Sequence, residues 1–470
     1  MNRNLKKKCN AGAAALVLAT SIFMGACGQL APTAYTPPAV DLPLQWQGRT
    51  TTGTAIARQS HWWKSFNDPI LNKLIDRALR SNNDLAAAAL KVRQAKLTSR
   101  LTDTNRTPSI NTTGNANFNR DLKAGVKTQT HGATGALSYE VDLWGKLART
   151  RDASRWEAAA TEADRQNTAL SLIGTTASSY WQVAYLNQLI DAGNASIAYT
   201  KKALELVSIK YQAGDVSAVD LVQARQSVAS QRADLTRLMQ QRVEARNALA
   251  ILFDQAPENP VPERVRLPHV EMPRIAAGLP ASLLAQRPDM HAAELRLKKY
   301  LANIDATRAA YYPSFNLTGS LGSASTHLAT VLQNPVAALG AGLTLPFLQW
   351  NTMQLNVKIS ETEYAQAIVN FRQTLYAALA DVENALSAHA FYDAERLERE
   401  AALSLAKQAE SLAEIRYRAG DTGVKPWLDT QESRRTAENT LAENRLNRLK
   451  TLMTLYQALG GDTNTAPEAE

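Results

Sequence analysis

The side chains best suited to chemistry are thinly spread in this chain. Its histidines are His61, His131, His269, His291, His327 and His389, and none stands at metal-ligand spacing from another histidine or from a cysteine. No glycine-rich phosphate loop and no nucleophile motif is present. The expectation is a protein that is not an enzyme, with no metal and no dissociable cofactor. Two reactive features remain. One is a cysteine, Cys27, that follows a short apolar stretch. The other is a pair of related segments, Tyr211-Gln212-Ala213-Gly214-Asp215 and Tyr417-Arg418-Ala419-Gly420-Asp421, each setting a carboxylate directly after a glycine.

Residues 1–26 carry a basic head (Arg3, Lys6, Lys7, Lys8), an apolar stretch from Ala11 to Met24 and then Gly25-Ala26. The stretch is too short to span a bilayer comfortably and fits an export signal. Small residues directly before a cysteine resemble a bacterial lipobox, with Met24 where leucine is more usual. Cys27 then becomes the first residue of the mature chain and carries a covalent lipid; an ordinary cleaved signal with an incidental Cys27 is the other reading. Cys9 leaves with the signal, so no disulfide forms. Gly28, rather than Asp, resembles lipoproteins sent on to the outer membrane. Residues 27–61, rich in Pro, Thr and Gln, read as an extended tether.

Around the paired Gly-Asp segments the chain reads as long helices. The 470 residues are 45% hydrophobic and 20% charged, with glycine and proline gathered in a few places, which favours long helices with a real core over disorder. The net charge of +9 is partly in the leader, and no basic run interleaved with aromatics comes after it, which argues against nucleic acid as a partner. From Gly145 a helical pattern runs to Tyr211, with apolar residues at Leu170, Ile173, Ala177, Tyr180 and Ala184; such a helix is about 100 Å long. Beyond the turn, Leu221, Val228, Leu235 and Leu249 keep seven-residue spacing, the mark of a coiled-coil seam. Trp350 to Ala419 holds neither Gly nor Pro and predicts a second helix of about 100 Å, followed by a last helix to Leu459. Gly214 and Gly420 suit the left-handed position that ends a helix, and Asp215 and Asp421 tolerate the bend and can cap the next helix.

Upstream of each long helix lies a pair of alternating segments. Ile110, Thr112, Gly114, Ala116 and Phe118 face one way, and Asn111, Thr113, Asn115 and Asn117 the other; a partner strand follows through Ala133, Leu137, Tyr139 and Leu143. The second pair has Phe315, Leu317, Gly319 and Leu321, then Ala337, Leu339, Ala341, Leu343, Leu345 and Phe347. One polar and one apolar face over about ten residues is the pattern of membrane β-strands, with a hairpin of a soluble sandwich as the alternative. Tyr312-Pro313-Ser314-Phe315-Asn316-Leu317-Thr318-Gly319 repeats Thr107-Pro108-Ser109-Ile110-Asn111-Thr112-Thr113-Gly114. The chain reads as a tandem duplication. The first repeat spans 62–253, with a hairpin over 108–143 and a helical hairpin over 145–253. A proline-rich linker covers 254–288. The second repeat spans 289–460, with a hairpin over 313–347 and a helical hairpin over 350–459, before a tail at 461–470. Four strands cannot close a barrel and an open edge in lipid is costly, so the chain must oligomerise; two copies would give a filled eight-stranded barrel, three a twelve-stranded conduit.

The duplicated strand pairs, the long helices, the Tyr-x-Ala-Gly-Asp turns and the lipobox together resemble the TolC family of outer-membrane efflux proteins, and among them the lipoprotein branch of the CusC, OprM and NodT type. Leu143-Trp144-Gly145-Lys146-Leu147, Arg287-Pro288-Asp289, Ala309-Ala310-Tyr311-Tyr312-Pro313-Ser314 and Ala458-Leu459-Gly460-Gly461 are wording that recurs in that family. The resemblance covers essentially the whole mature chain. It implies an α+β membrane protein in the outer membrane of a Gram-negative bacterium: a homotrimer with four strands per chain in a twelve-stranded barrel, continued by a periplasmic α-helical barrel and a small equatorial region. It further implies a passive exit duct for small molecules such as drugs, working with a periplasmic adaptor and an inner-membrane pump, of the RND type in preference to the ABC type. An exit duct for protein secretion, with the same fold, and a structural periplasmic coiled-coil lipoprotein are the alternatives.

By the same resemblance the helix-hairpin turns form the periplasmic mouth. Asp429, Tyr417 and Asp421 are then the gate residues, and Gly214, Asp215, Ser217, Asp220, Gly420 and Trp427 the tips that touch the adaptor. Copies of one carboxylate, Asp429, around a narrow axis would repel each other when closed and attract cations when open; a solvated residue favoured by the helix dipole is the plainer reading. Pro426 and Thr422 depart from the family pattern, so the closing bonds differ. Gln431, Arg434, Arg435 and Glu438 make the start of the last helix polar, as a wall of a water channel or as a solvated outer face.

Overall fold

The computed structural model describes residues 32–47, 54–55, 61–268, 275–276 and 286–461. The signal segment, Cys27, most of the tether, His269 and the tail from 462 onward lie outside the described residues, as does much of the linker.

In chain order the elements are β1 (Thr54–Ala55), α1 (Pro69–Ser81), α2 (Asn83–Thr104), β2 (Ser109–Arg120), β3 (Lys127–Val141), α3 (Lys146–Gln212) and α4 (Ala218–Ile251). They continue as β4 (Ile275–Ala276), α5 (Pro288–Ala309), β5 (Ser314–Ser325), β6 (Pro335–Thr344), α6 (Trp350–Arg418) and α7 (Val424–Ala458). The order helix, two strands, two helices thus occurs twice. Among the described residues no helix is long and apolar enough to cross a membrane.

The chain forms two compact units. The first comprises the described residues up to Val40 with Lys91–Thr161 and Ala292–Arg372, and the second Asp41–Leu90, Glu162–His291 and the described residues from Gln373.

In the first unit β2, β3, β5 and β6 make one antiparallel sheet in that order. The pairing of β3 with β5, which joins the two hairpins, sets Leu137 opposite Gly319 and Tyr139 opposite Leu317. Ile110 stands across from Leu137, and Leu339 across from Gly319. The register therefore puts Ile110, Leu137 and Leu339 on one face of the sheet, as a period of two requires. The β6 strand ends at Thr344, so Leu345 and Phe347 are not strand residues: Pro346 opens a short 3-10 turn, Pro346–Leu348, because proline cannot donate to a ladder.

The bend from β3 into α3 explains Leu143-Trp144-Gly145-Lys146-Leu147. Gly145 takes φ 76°, a left-handed conformation that costs a side chain but not glycine. The Asp142 carboxylate accepts from Leu147 N at 3.0 Å and Ala148 N at 2.8 Å, neutralising the free N–H groups of the helix start. Trp144 Nε1 donates to the Pro313 carbonyl at 2.6 Å while its ring stacks on Tyr312.

The second unit holds the main core. Trp62, Trp63 and Phe66 sit in a short 3-10 turn and pack with Trp181, Leu249, Leu452 and Tyr456. Asp68 caps α1 just before Pro69, accepting from Ile70 N and Leu71 N, and also meets Tyr180 Oη at 3.1 Å and Arg264 Nε at 2.9 Å. A buried carboxylate with that many donors is compensated. The break between the first helices is a single residue, Asn82, whose Oδ1 accepts from Leu85 N at 3.1 Å; Asn83 and Asp84 are already helical. At the end of α7, Gly460 has φ 76°, and a Cβ there would fall 2.6 Å from the Gln286 carbonyl oxygen, so both conformation and space demand glycine. Arg287 ties that junction together, reaching Asp289 at 2.7 Å and Asp381 at 3.2 Å.

Candidate functional site

The two helix-hairpin turns are built alike. Gly214 and Gly420 have φ 82° and 79°. Asp215 N donates to the Lys210 carbonyl at 2.9 Å and Gly214 N to that of Tyr211 at 3.1 Å; Asp421 N and Gly420 N do the same with Arg416 and Tyr417, at 3.0 and 3.1 Å. These nested bonds are the Schellman arrangement, in which a left-handed glycine lets the chain satisfy the last carbonyls of the helix and then turn away.

Helix starts after the turns are capped differently from expectation. Neither Asp215 nor Asp421 caps the next helix. Ser217 caps α4, and Asp220 completes a capping box: Ser217 Oγ accepts from Asp220 N at 3.2 Å and the Asp220 carboxylate accepts from Ser217 N at 3.1 Å. Asp421 instead accepts from Arg416 Nε at 2.7 Å, on the exposed surface. The N-cap of α7 is Gly423, which has no side chain to offer. The Asp220 carboxylate lies beside this helix start, its Oδ1 3.5 Å from where a Cβ at Gly423 would sit. The hydrogen bond from Ser217 holds its carboxyl below the usual carboxylate range, burial opposes, and the backbone N–H groups of Ser217 and, nearby, Val424 add to the lowering.

Behind the turns lies a small closed core made of Val207, Leu221, Ala224, Tyr417, Val424 and Trp427 with their neighbours. This corrects the expected places of two residues. Tyr417 is 1% exposed and Trp427 is 2% exposed, with ring centroids 5.3 Å apart and planes at 28°. The side chains of Trp427 and Tyr417 are therefore not exposed at the turn. Their large apolar surfaces find shelter only where the two hairpins meet. Lys210 covers Tyr417, with Nζ 4.9 Å from its ring centroid and 3.4 Å from its carbonyl oxygen. Gly214, Asp215, Ser217, Gly420 and Asp421 remain exposed, and Asp220 is half-buried.

Asp429 lies one turn into α7 and is exposed, paired with Lys425 at 2.7 Å across one helical turn. Both residues line a polar groove of about 370 Å³ between α4 and α7, together with Gln223, Ser227 and Glu432.

Gln431, Arg434, Arg435 and Glu438 do not form the fully solvated outer face that is one of the two readings of their polarity. Gln431 is 1% exposed; the buried Gln231 of α4 accepts from Ser196 Oγ and donates to Thr200 Oγ1, each at 3.0 Å. Arg434 binds the buried Glu410 and, at 2.9 Å, Glu438. Arg435 bridges Glu432 at 2.6 Å and Asp234 at 3.0 Å. Burial pushes the Glu410 carboxyl up, against the pull of Arg434. Sequence reasoning missed Tyr199 and Glu414, which share a 2.5 Å hydrogen bond beside Trp427. Their only signal is a tyrosine in one repeat and an acid in the other, and nothing local links them.

The family model described as outer membrane efflux protein matches residues 74–253 and 279–461, one stretch per half of the chain. Pyoverdine export outer membrane protein OpmQ of Pseudomonas putida is 32% identical over 445 residues, covering 92% of this chain and 95% of that one. Cation efflux system protein CusC of Escherichia coli is 29% identical over 443 residues, 92% of this chain and 95% of its own. In three dimensions the chain is similar to the open state of the MtrE outer membrane channel of Neisseria gonorrhoeae, with a TM-score of 0.83 and 29% identity over 93% of this chain and 100% of that one. The chain belongs to the outer membrane efflux protein family.

Proposed function

We propose that three copies of this chain close their four-stranded sheets into a twelve-stranded barrel in the outer membrane, continued into the periplasm by their long helices. The protein is the outer-membrane exit duct of a tripartite efflux system. The observation that carries the trimer is the sheet itself: one apolar face, and two edges, β2 and β6, each with a side that is unpaired among the described residues. In lipid each unpaired backbone group costs several kcal/mol, so the edges must meet those of other copies. Three copies leave room for a conduit where two would fill it with side chains.

An inner-membrane pump, of the RND type, and a periplasmic adaptor deliver the cargo, and the duct conducts it passively. Relatives named for pyoverdine export and for cation efflux support small molecules as cargo. Cys27 anchors the mature chain through its lipid. The exposed turn residues Gly214, Asp215, Ser217, Gly420 and Asp421 meet the adaptor, with Asp220 bracing them. Asp429 contributes a ring of carboxylates at the periplasmic mouth. The test is reconstitution of the purified full-length protein in planar bilayers, with its mass measured in detergent. Discrete conductance from a trimeric species is expected; a monomer without conductance would sink the reading.

A further inference from the structure

The far ends of the two hairpins differ in charge. His131 stands opposite Ser325, so both connecting loops leave the same end of the sheet, and the helices join at the other. The β5–β6 loop, residues 326–334, contains no Lys, Arg, Asp or Glu. The β2–β3 loop carries Arg120, Lys123 and Lys127 around a single acid, Asp121. That acid is occupied: its Oδ1 accepts from Lys123 N at 2.8 Å and Ala124 N at 2.9 Å, and Gly125, at φ 70°, closes the turn. Arg120 and Lys127 are direct cross-strand partners, an arrangement that is unfavourable for two like charges. Among the described residues no carboxylate forms an ion pair with any of the three cations. Beside them project two apolar side chains, Leu122 at 92% and Val126 at 57% exposure.

A rigid turn that holds three unneutralised cations next to exposed aliphatic groups matches an amphiphile with phosphates at its polar boundary. Guanidinium and ammonium groups bind phosphate oxygens strongly, and apolar side chains gain by entering the acyl boundary. The turn is the end of the sheet away from the helices, so in an outer-membrane duct it lies at the outer leaflet. We propose that the Arg120–Lys127 turn is a docking surface for the phosphorylated glycolipid of that leaflet, a proposal that rests on the outer-membrane reading. The lipid phosphates neutralise Arg120, Lys123 and Lys127, and Leu122 and Val126 seat against its acyl region.

The test uses the full-length protein in detergent and measures binding of bis-phosphorylated lipid A and of its dephosphorylated form, with inorganic phosphate as competitor. The wild type should prefer the phosphorylated lipid by at least tenfold. Arg120→Gln/Lys123→Gln/Lys127→Gln should abolish that preference, Leu122→Asn/Val126→Asn should weaken binding to both lipids, and millimolar phosphate should not displace lipid A. Equal binding of the two lipids by the wild type, an unchanged preference in the triple variant, or displacement by free phosphate would overturn it. Conductance of the same wild-type sample separates this proposal from the duct. A sample that conducts but does not discriminate the lipids overturns the docking surface alone, whereas one that discriminates them without conducting supports docking and overturns the duct.

Discussion

Tyr417, at the end of the helix before the second turn, stacks on Trp427, in the helix after it, at 5.3 Å with both rings buried. The pair closes the hairpin from within, so the turn is braced by aromatic packing as well as by its backbone bonds. Trp427→Ala should cost about 3 to 5 kcal/mol, the usual loss for a buried large aromatic. Denaturant unfolding in detergent measures this, and hydrogen exchange should rise first in residues 413–428. A loss below about 1 kcal/mol would show that the rings do not support the turn.

Asp220 completes the capping box at the start of α4, and its carboxyl is depressed. A group whose folded value lies below its unfolded value contributes stability above the unfolded value and loses it as the pH falls through the folded one. Asp220→Ala should therefore lower the melting temperature at neutral pH, by an amount corresponding to about 1 kcal/mol for a lost cap. The gap from wild type should close below the ordinary carboxylate value of 3.8. Melting curves of both proteins across acidic and neutral pH measure it, and a gap that persists in acid would refute the ionised cap. Amide exchange at Ser217, whose N–H the carboxylate accepts, should also quicken in the variant.

Arg434 is the cationic partner of the buried Glu410. Arg434→Met should destabilise by about 3 kcal/mol, because one partner of a buried pair then stands alone. Adding Glu410→Gln should recover most of the loss. A double variant as unstable as the single one would mean that packing of the arginine, rather than its charge, is what counts.

Gly420 has a left-handed backbone and open space around the position of a Cβ. Gly420→Ala should therefore cost about 1 kcal/mol from conformation alone, and Gly420→Asn less. Equal stability of all three proteins by thermal melting would contradict the left-handed requirement.

At the proposed mouth, Asp429 and Lys425 offset each other. Asp429→Ala should reduce cation preference in single-channel recordings, and Lys425→Ala should raise it. Reversal potentials across a salt gradient read both effects, and two unchanged values would remove Asp429 from the conduction path.

The linear sequence by itself determined the features that depend on local periodicity or on one residue's backbone freedom. Alternation over Ile110 to Phe118 marks a strand, and its bounds extend only to Ser109–Arg120. A run without Gly or Pro from Trp350 gives α6 to within one residue, and Gly214 and Gly420 mark the turns because few other residues accept a positive φ. The tertiary structure alone decided which distant segments meet. It paired β3 with β5 and so merged two hairpins into one sheet. It brought the Asp220 carboxylate beside a helix start in the other half of the chain, drew Tyr417 and Trp427 inward, and matched Arg434 with Glu410. The physical reason is common to all of these: a lone carboxylate, arginine or aromatic ring carries no local sign of its partner, and its place is set by the cost of burying it uncompensated or leaving it exposed.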